Sequence, residues 1–120
     1  MTPAQLLAQA KESRTSWMTV EGKRFKVETL NRGSLERVLS QPSADTKMAL
    51  LTRCVLDWQG FTEADISPNA SDEPLPFQSD LLAEWCDVNT DARDRLFLDI
   101  WQACQKAYSR VEAAAEKPQP

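Results

Sequence analysis

Apolar side chains recur every three or four residues through much of the chain, which is the spacing of one face of an α-helix. The clearest stripe predicts a central helix that ends at Gly60, where glycine suits a left-handed cap, and its members are Ala44, Met48, Leu51, Val55 and Trp58. A broader stripe predicts a last helix over about 91–112 with Thr90 as its N-cap. The central helix is expected to be the middle of the core.

Three shorter helices are predicted over residues 3–11, 35–40 and 80–86. Each follows a side chain whose oxygen can accept a hydrogen bond from the first turn, and the expected N-caps are Thr2, Ser34 and Ser79. The first of these helices is terminal, so we expect it to be loosely held.

A β-hairpin is predicted between the first two helices. The runs 17–20 and 25–29 are rich in β-branched and aromatic residues, and the tetrapeptide 21–24 between them contains a glycine able to take a positive φ. Alternation places Phe25 and Val27 on an apolar face that helices must cover, and the other face carries Arg24, Lys26 and Glu28. Lysines on the outer strand would protect an exposed sheet edge from mispairing.

The predicted fold class is mostly α: a small helical domain with an N-terminal β-hairpin, in which the α+β character is minor. The segment 62–76 contains three prolines among polar residues, so we expect a long surface loop without regular structure. Residues 1–15 are expected to form an N-terminal helix or arm, residues 16–116 a single helical domain, and residues 117–120 a frayed tail.

Composition excludes several classes of chemistry. The 120 residues suffice for one domain, and their net charge of −4 does not favour nucleic-acid binding. The chain has no histidine, which removes the commonest general base and metal ligand, and three glycines are too few for a phosphate-binding loop. No run approaches the roughly 20 apolar residues of a membrane helix, and the first residues lack the pattern of a secretory signal.

Candidate chemical groups are few. The odd number and wide spacing of Cys54, Cys86 and Cys104 favour small core residues in a reducing compartment, hence the cytoplasm, over a disulfide framework or a zinc site. The acidic residues within 80–87 have the spacing of one solvated helix face, and the acidic loop 65–73 lacks the ligand order of an EF-hand. We expect no catalytic residue, metal or cofactor.

Charge is divided unevenly along the chain. Residues 1–58 contain nine basic and six acidic residues, whereas residues 59–120 contain five basic and twelve acidic residues. The division is compatible with ordinary solvated faces, with self-complementary packing, or with two different binding faces. The basic strip 23–26 with Trp17 nearby could bind single-stranded nucleic acid by charge and stacking, although a solvated hairpin edge is the simpler interpretation.

Four tryptophans are many for a chain of this length. Three of them, Trp58, Trp85 and Trp101, lie on predicted apolar stripes, so a role in the core is the leading interpretation. Aromatic anchors are also enriched at protein interfaces. The candidate partner-binding residues are therefore Trp58, Phe61, Phe77 and Trp85.

One ordered set of motifs resembles a known family. A segment rich in apolar residues, Leu50 to Phe61, ends in V-x-x-W-x-G, and an acidic spacer separates it from Pro74-Leu75-Pro76-Phe77 and the following Leu81-Leu82. This order, over about residues 25–110, resembles the tail assembly chaperones of tailed bacteriophages and prophages. The motifs of this family include no catalytic residue. This chain departs from the family in its loop 62–73, which is long and polar.

The resemblance implies a function without chemistry. Such chaperones bind the long helical tape-measure protein, help to recruit tail tube subunits in the host cytoplasm, and leave before the tail is complete; a longer frameshifted form is often made. We therefore expect a non-enzymatic tail assembly chaperone, with a possible homo-oligomer. The alternatives are a structural virion component, such as a head–tail connector or other minor tail protein, and a small regulatory nucleic-acid binder.

Overall fold

The computed structural model describes the backbone of residues 1–42 and 45–116 and the side chains of this part through residue 107. About 58% of the chain is helical, and a small antiparallel sheet of three strands accompanies the helices, which confirms a mostly helical fold. The elements in chain order are α1 (Pro3–Ser13), β1 (Thr15–Val20), β2 (Lys23–Glu28), α2 (Arg32–Ser40), α3 (Thr46–Cys54), β3 (Val55–Gln59), α4 (Glu63–Ile66), α5 (Ser79–Val88) and α6 (Thr90–Glu116).

The hairpin of β1 and β2 is confirmed, with a tighter turn than the predicted tetrapeptide. Val20 faces Lys23, so Glu21 and Gly22 alone form the turn. Both have positive φ, 51° for Glu21 and 78° for Gly22, which is the type I′ geometry that matches the twist of the two strands. Glycine adopts such angles without steric cost, so Gly22 suits its position, whereas the Cβ atom of Glu21 makes the same conformation less favourable.

Replacing Gly22 with alanine is expected to lower the free energy of unfolding by about 1 kcal/mol. No atom lies within 4 Å of the added Cβ, so the cost is conformational rather than a clash. Gly33→Ala, in the first turn of α2, is the matched control, and we expect it to be neutral or slightly stabilising. Urea unfolding of both variants tests the difference, and equal effects would contradict the assignment.

The predicted central helix is wrong in its second half. Helix α3 ends at Cys54, and residues 55–59 form strand β3, paired with β2. The pairing contains a β-bulge: Lys26 faces Asp57 and Val27 faces Val55, which leaves Leu56 as the extra residue. Because of the bulge, Val55 and Trp58 both face the core although they are three residues apart, and this spacing imitates a helix. Ala44 lies outside the described residues.

The order of the strands is β1-β2-β3, so β2 is the central strand. The expectation that lysines protect the outer strand is therefore wrong, because Lys23 and Lys26 lie on β2 and the edge strand β1 carries no charged residue. Glu28 also differs from the expectation of a solvated face. It is only 4% exposed and forms ion pairs with Arg14 at 3.2 Å and Arg53 at 3.5 Å.

The segment 62–76 is the predicted surface loop over most of its length, but it is not without regular structure. It contains the short helix α4, and Thr62 and Pro74 form an isolated antiparallel bridge. Asp65 fixes the start of α4, since it accepts hydrogen bonds from the Lys23 ammonium and the Thr62 amide, each at 2.8 Å. Burial opposes ionisation of Asp65, but these hydrogen bonds lower its pKa below the ordinary value. The order of the segment thus comes from backbone pairing and from this carboxylate.

The starts of α2, α5 and α6 differ by one to three residues from those predicted, as helix boundaries often do, whereas α1 begins where predicted. Thr2 caps α1 as expected, but Asn31 rather than Ser34 caps α2, and its side chain accepts from the Ser34 amide. Ser79 and Thr90 are the first residues of α5 and α6 instead of their caps. The expected tail, 117–120, lies outside the described residues.

The core lies between the sheet and the helices α3, α5 and α6. It contains all three cysteines, none of which is exposed, as the sequence predicted for small core residues. The last helix contributes Leu96, Ile100 and Cys104, one stripe at helical spacing. Within the described residues, no helix has the length and apolar character needed to cross a bilayer.

Candidate partner-binding surfaces

The four residues predicted to bind a partner come together in one aromatic cluster. Trp58 stacks on Phe61 with ring centroids 3.9 Å apart, and Phe77 meets Trp58 edge-on at 5.2 Å. Trp85 lies 5.3 Å from Phe61. Phe25, which the sequence analysis assigned to the core, completes the cluster at 5.6 Å from Phe61 and 5.5 Å from Trp85.

The cluster joins parts of the chain that are distant in sequence. Trp58 comes from β3 and Trp85 from α5, and the indole Nε1 of Trp58 donates a 2.8 Å hydrogen bond to the carbonyl oxygen of Leu75. At the rim, the ammonium group of Lys23 lies 5.1 Å from the ring centroid of Phe61, within the range of a cation–π contact. The cluster therefore fixes the segment 62–76 against the sheet.

Burial limits what this cluster can offer to another molecule. Trp58, Phe61 and Trp85 are only 3–4% exposed, and Phe77 alone keeps an accessible part. Partner binding by these four residues stays a prediction, and it would need the cluster to open. While the cluster is closed, the rings of Trp58, Phe61 and Trp85 are not accessible to another molecule.

One exposed surface is the N-terminal helix. None of the side chains of α1 is buried, and Leu6 and Leu7 are 59% and 65% exposed. Pro3, Leu6, Leu7 and Ala10 follow the i, i+3, i+4, i+7 spacing of a single apolar stripe. We name this helix with its apolar stripe the N-terminal arm, residues 3–13.

The N-terminal arm is well formed at both ends. A complete capping box begins it: the Gln5 amide donates to Thr2 Oγ1 at 3.1 Å, and the Thr2 amide donates to Gln5 Oε1 at 2.8 Å. At the other end, the hydroxyl of Thr15 donates to the Lys11 carbonyl at 2.7 Å, and the Thr29 amide donates to the Arg14 carbonyl at 2.9 Å. The arm thus projects its leucines from a fixed attachment to the hairpin.

The second exposed surface is the solvent side of the sheet. Trp17 is 37% exposed, and the guanidinium of Arg24 lies 4.9 Å from its ring centroid. Arg24 also donates to Gln59 Oε1 at 3.0 Å, so it links all three strands. Lys26 lies beside Trp17 in the ladder and forms no ion pair with a described residue. We name this surface, with Leu56 on β3, the outer sheet face.

The basic strip predicted as a nucleic-acid alternative is divided by the fold. Lys23 turns away from the outer sheet face, because its ammonium bonds Asp65 and the Gly60 carbonyl, both at 2.8 Å. Phe25 is completely buried and cannot stack on a base. Only Trp17, Arg24 and Lys26 of that set share one exposed surface.

Groups that could perform chemistry are few among the described residues. No cluster of three or more potential metal ligands is found there. Burial raises the pKa of Cys86 to about 11, and a hydrogen bond with Cys104 together with burial raises the pKa of Cys54, so both thiols stay protonated near neutral pH. The acidic side chains at positions 80, 84 and 87 lie exposed on one side of α5, as predicted for a solvated face.

An open cleft of about 240 Å³ lies at the junction of α5 and α6. Polar atoms form most of its accessible lining, and the residues around it are Glu21, Val88, Asn89, Thr90, Asp91 and Ala92. Ligand sites are usually concave and mainly apolar, and this cleft is neither deep nor apolar. It does not stand out as a binding site.

Comparison with known proteins finds no match to a family model, to a curated protein sequence or to a solved structure. The functional interpretation therefore depends on the surfaces described above and on the motif order in the sequence.

Proposed function

We propose that this chain is a non-enzymatic assembly chaperone of a bacteriophage or prophage tail. In this proposal it acts in the host cytoplasm, binds the helical tape-measure protein and helps to recruit tail tube subunits. The motif order from Leu50 to Leu82 suggests the family, and the exposed apolar stripe of the N-terminal arm is the observation that carries the proposed activity.

The arm has the properties of a recognition helix. An isolated helix of 11 residues is marginal in water even with good caps, and in proteins such helices gain most of their stability by packing an apolar face. The arm has caps and an apolar stripe, but it buries none of its own side chains in the domain. A partner that covers Leu6 and Leu7 would therefore stabilise the arm and be stabilised by it.

A long helical protein before assembly is a suitable partner for such an arm. Its apolar stripes are exposed until the assembly covers them, and exposed apolar stripes cause aggregation. Helix-to-helix contact through residues at i, i+3, i+4 and i+7 is a common form of peptide recognition. The arm satisfies this spacing without any change in the domain.

The test is co-purification of the chain with the tape-measure protein encoded in the same phage or prophage genome. Leu6→Ser with Leu7→Ser is expected to weaken binding at least about tenfold, because each buried leucine contributes about 1.5–3 kcal/mol. Ala8→Ser with Gln9→Ser lies away from the stripe and costs similar helix propensity, so it is the matched control and should bind normally. Both pairs should leave the unfolding midpoint unchanged, since all four substituted side chains are exposed.

Two outcomes would contradict the proposal in different ways. Equal binding by the two double variants would exclude the arm as the contact, and no binding by the unaltered chain would exclude the tape-measure protein as the partner. The alternative of a structural virion component predicts that the chain is present in purified particles. A chaperone that leaves before completion should be absent from them.

A further inference from the structure

The two edges of the sheet differ in how well they are protected from pairing. Strand β3 has only five residues, contains a charged side chain, Asp57, and bends at the bulge after Val55. These are features by which proteins prevent edge-to-edge association. Strand β1, Thr15–Val20, has six residues with no charge, no proline and no bulge.

The free side of β1 has backbone groups that are ready to pair. Val20 and Lys23 flank the two-residue turn as a hydrogen-bonded pair, so the ladder to β2 uses the backbone groups of Val20 and of every second residue before it. The N–H and C=O groups of Thr15, Trp17 and Thr19 therefore point away from β2. Within the ranges 1–42 and 45–116, no backbone hydrogen bond from another residue reaches them.

We propose that β1 pairs with β1 of a second copy, antiparallel and centred on Trp17. This pairing joins the two sheets into one of six strands related by a two-fold axis. Each Trp17 faces its counterpart, and Thr15 faces Thr19 in both directions. Each of these three facing pairs exchanges two hydrogen bonds. The proposal does not depend on the function proposed above.

The sequence of the edge favours a second copy as the occupant. On the outer sheet face the strand reads Thr15, Trp17, Thr19, which is the same in both directions about the tryptophan. A two-fold axis through Trp17 pairs the strand with an identical strand, so that tryptophan faces tryptophan and threonine faces threonine. Aromatic pairs and threonine pairs across strands are both stabilising.

Charge does not oppose the pairing. The seam itself is uncharged, and the cations of the outer sheet face, Arg24 and Lys26, lie on β2. Arg14, which precedes the seam, is already paired with Glu28. The β2 strands of the two copies would be three strand spacings apart, roughly 14 Å, which exceeds the screening length at physiological salt. Each Arg24 already lies on its own Trp17, so the guanidinium would flank the pair of indole rings.

The dimer is expected to be reversible, because a seam of one short strand is smaller than the interface of a permanent dimer. Sedimentation equilibrium over a concentration series should show monomer and dimer. Trp17→Glu places two carboxylates opposite each other at the axis and should raise the dimer dissociation constant at least about tenfold. Leu56→Glu adds the same charge to the same face at the other edge, and it should leave the constant unchanged.

Disulfide cross-linking tests the register. With Thr15→Cys and Thr19→Cys together, each new thiol faces one of the other copy at a Cα separation of about 5.5 Å, which a disulfide can span. Oxidised glutathione should then give a covalent dimer, by exchange that releases reduced glutathione. Thr15→Cys alone should not, because residues 15 of the two copies would lie roughly 13 Å apart along the strand. The native cysteines are buried in the core and should not react.

The proposal is overturned by a chain that is monomeric up to millimolar concentration. It is also overturned if Trp17→Glu and Leu56→Glu weaken the dimer equally, or if the single and double cysteine variants cross-link equally. Trp17, Thr19 and Leu56 are exposed, and Thr15 lies outside the core although its hydroxyl bonds the Lys11 carbonyl. Circular dichroism should therefore show all these variants to be folded.

Discussion

Replacing Phe25 with alanine is expected to lower the free energy of unfolding by about 3–5 kcal/mol. Phe25 is completely buried and its ring contacts both Phe61 and Trp85. The loss combines the transfer of an aromatic ring from the core to water with the cavity that remains, because the surrounding rings are held by other elements and can close it only in part. Urea unfolding measures the effect directly.

The matched control is Trp17→Ala, which removes a larger aromatic side chain from the outer sheet face. Trp17 is 37% exposed and its described contact is with the long, flexible side chain of Arg24, so its loss should cost about 1 kcal/mol or less. Both should be measured in dilute solution, where association does not contribute. A cost below about 1 kcal/mol for Phe25→Ala would show that the aromatic cluster is not part of the cooperative core.

Replacing Glu28 with alanine is expected to cost about 2–3 kcal/mol. Its side chain is nearly buried and receives hydrogen bonds from Arg14 and Arg53, while the Nε of Arg14 is buried with no partner in the described part of the chain. Removing the carboxylate takes a further hydrogen-bond acceptor away from the guanidinium of Arg14. The cost stays below that of a fully buried pair because the arginine side chains are 30% and 42% exposed and water can reach them.

The control for Glu28 is Glu36→Ala. Glu36 pairs with Arg32 at 3.2 Å, but both side chains are about two-thirds exposed, so the substitution should change stability by no more than about 0.5 kcal/mol. Thermal or urea unfolding of the two variants separates a buried carboxylate from an exposed one. Similar losses would mean that the position of Glu28 between two arginines has no special energetic weight.

These two substitutions connect stability with the proposed surfaces. Phe25 and Glu28 lie on β2, and the strand holds the outer sheet face in position through Arg24 and Lys26. The arm joins the same hairpin at Arg14, whose guanidinium bonds Glu28. Loss of partner binding in these variants would therefore report a disturbed domain, whereas the serine variants of the arm change the contact alone.

Local signals in the sequence determined several of the helices and the β-hairpin of this protein. Helix formers behind Thr2 predict α1, the apolar stripe through Leu96, Ile100 and Cys104 predicts α6, and a glycine between two β-rich runs predicts the hairpin. Each of these features depends on residues within a few positions of one another. The core was the leading interpretation for Trp58 and Trp85, and both are nearly buried. That they meet Phe61 and Phe77 in one cluster was not predicted, because spacing along the chain does not show which aromatic residues come together in the fold.

Only the tertiary structure decided the identity of the third strand and the roles of the two edges. Residues 55–59 have a helix-like apolar spacing, and they are a strand because the open side of β2 pairs with their backbone and a bulge turns Val55 and Trp58 to the same side. That pairing leaves β1 as the uncharged edge, and Trp58 on the paired strand holds the segment 62–76 through the carbonyl of Leu75. Hydrogen bonds between distant segments cannot be read from local periodicity, since their energy depends on which strand is available in the folded chain.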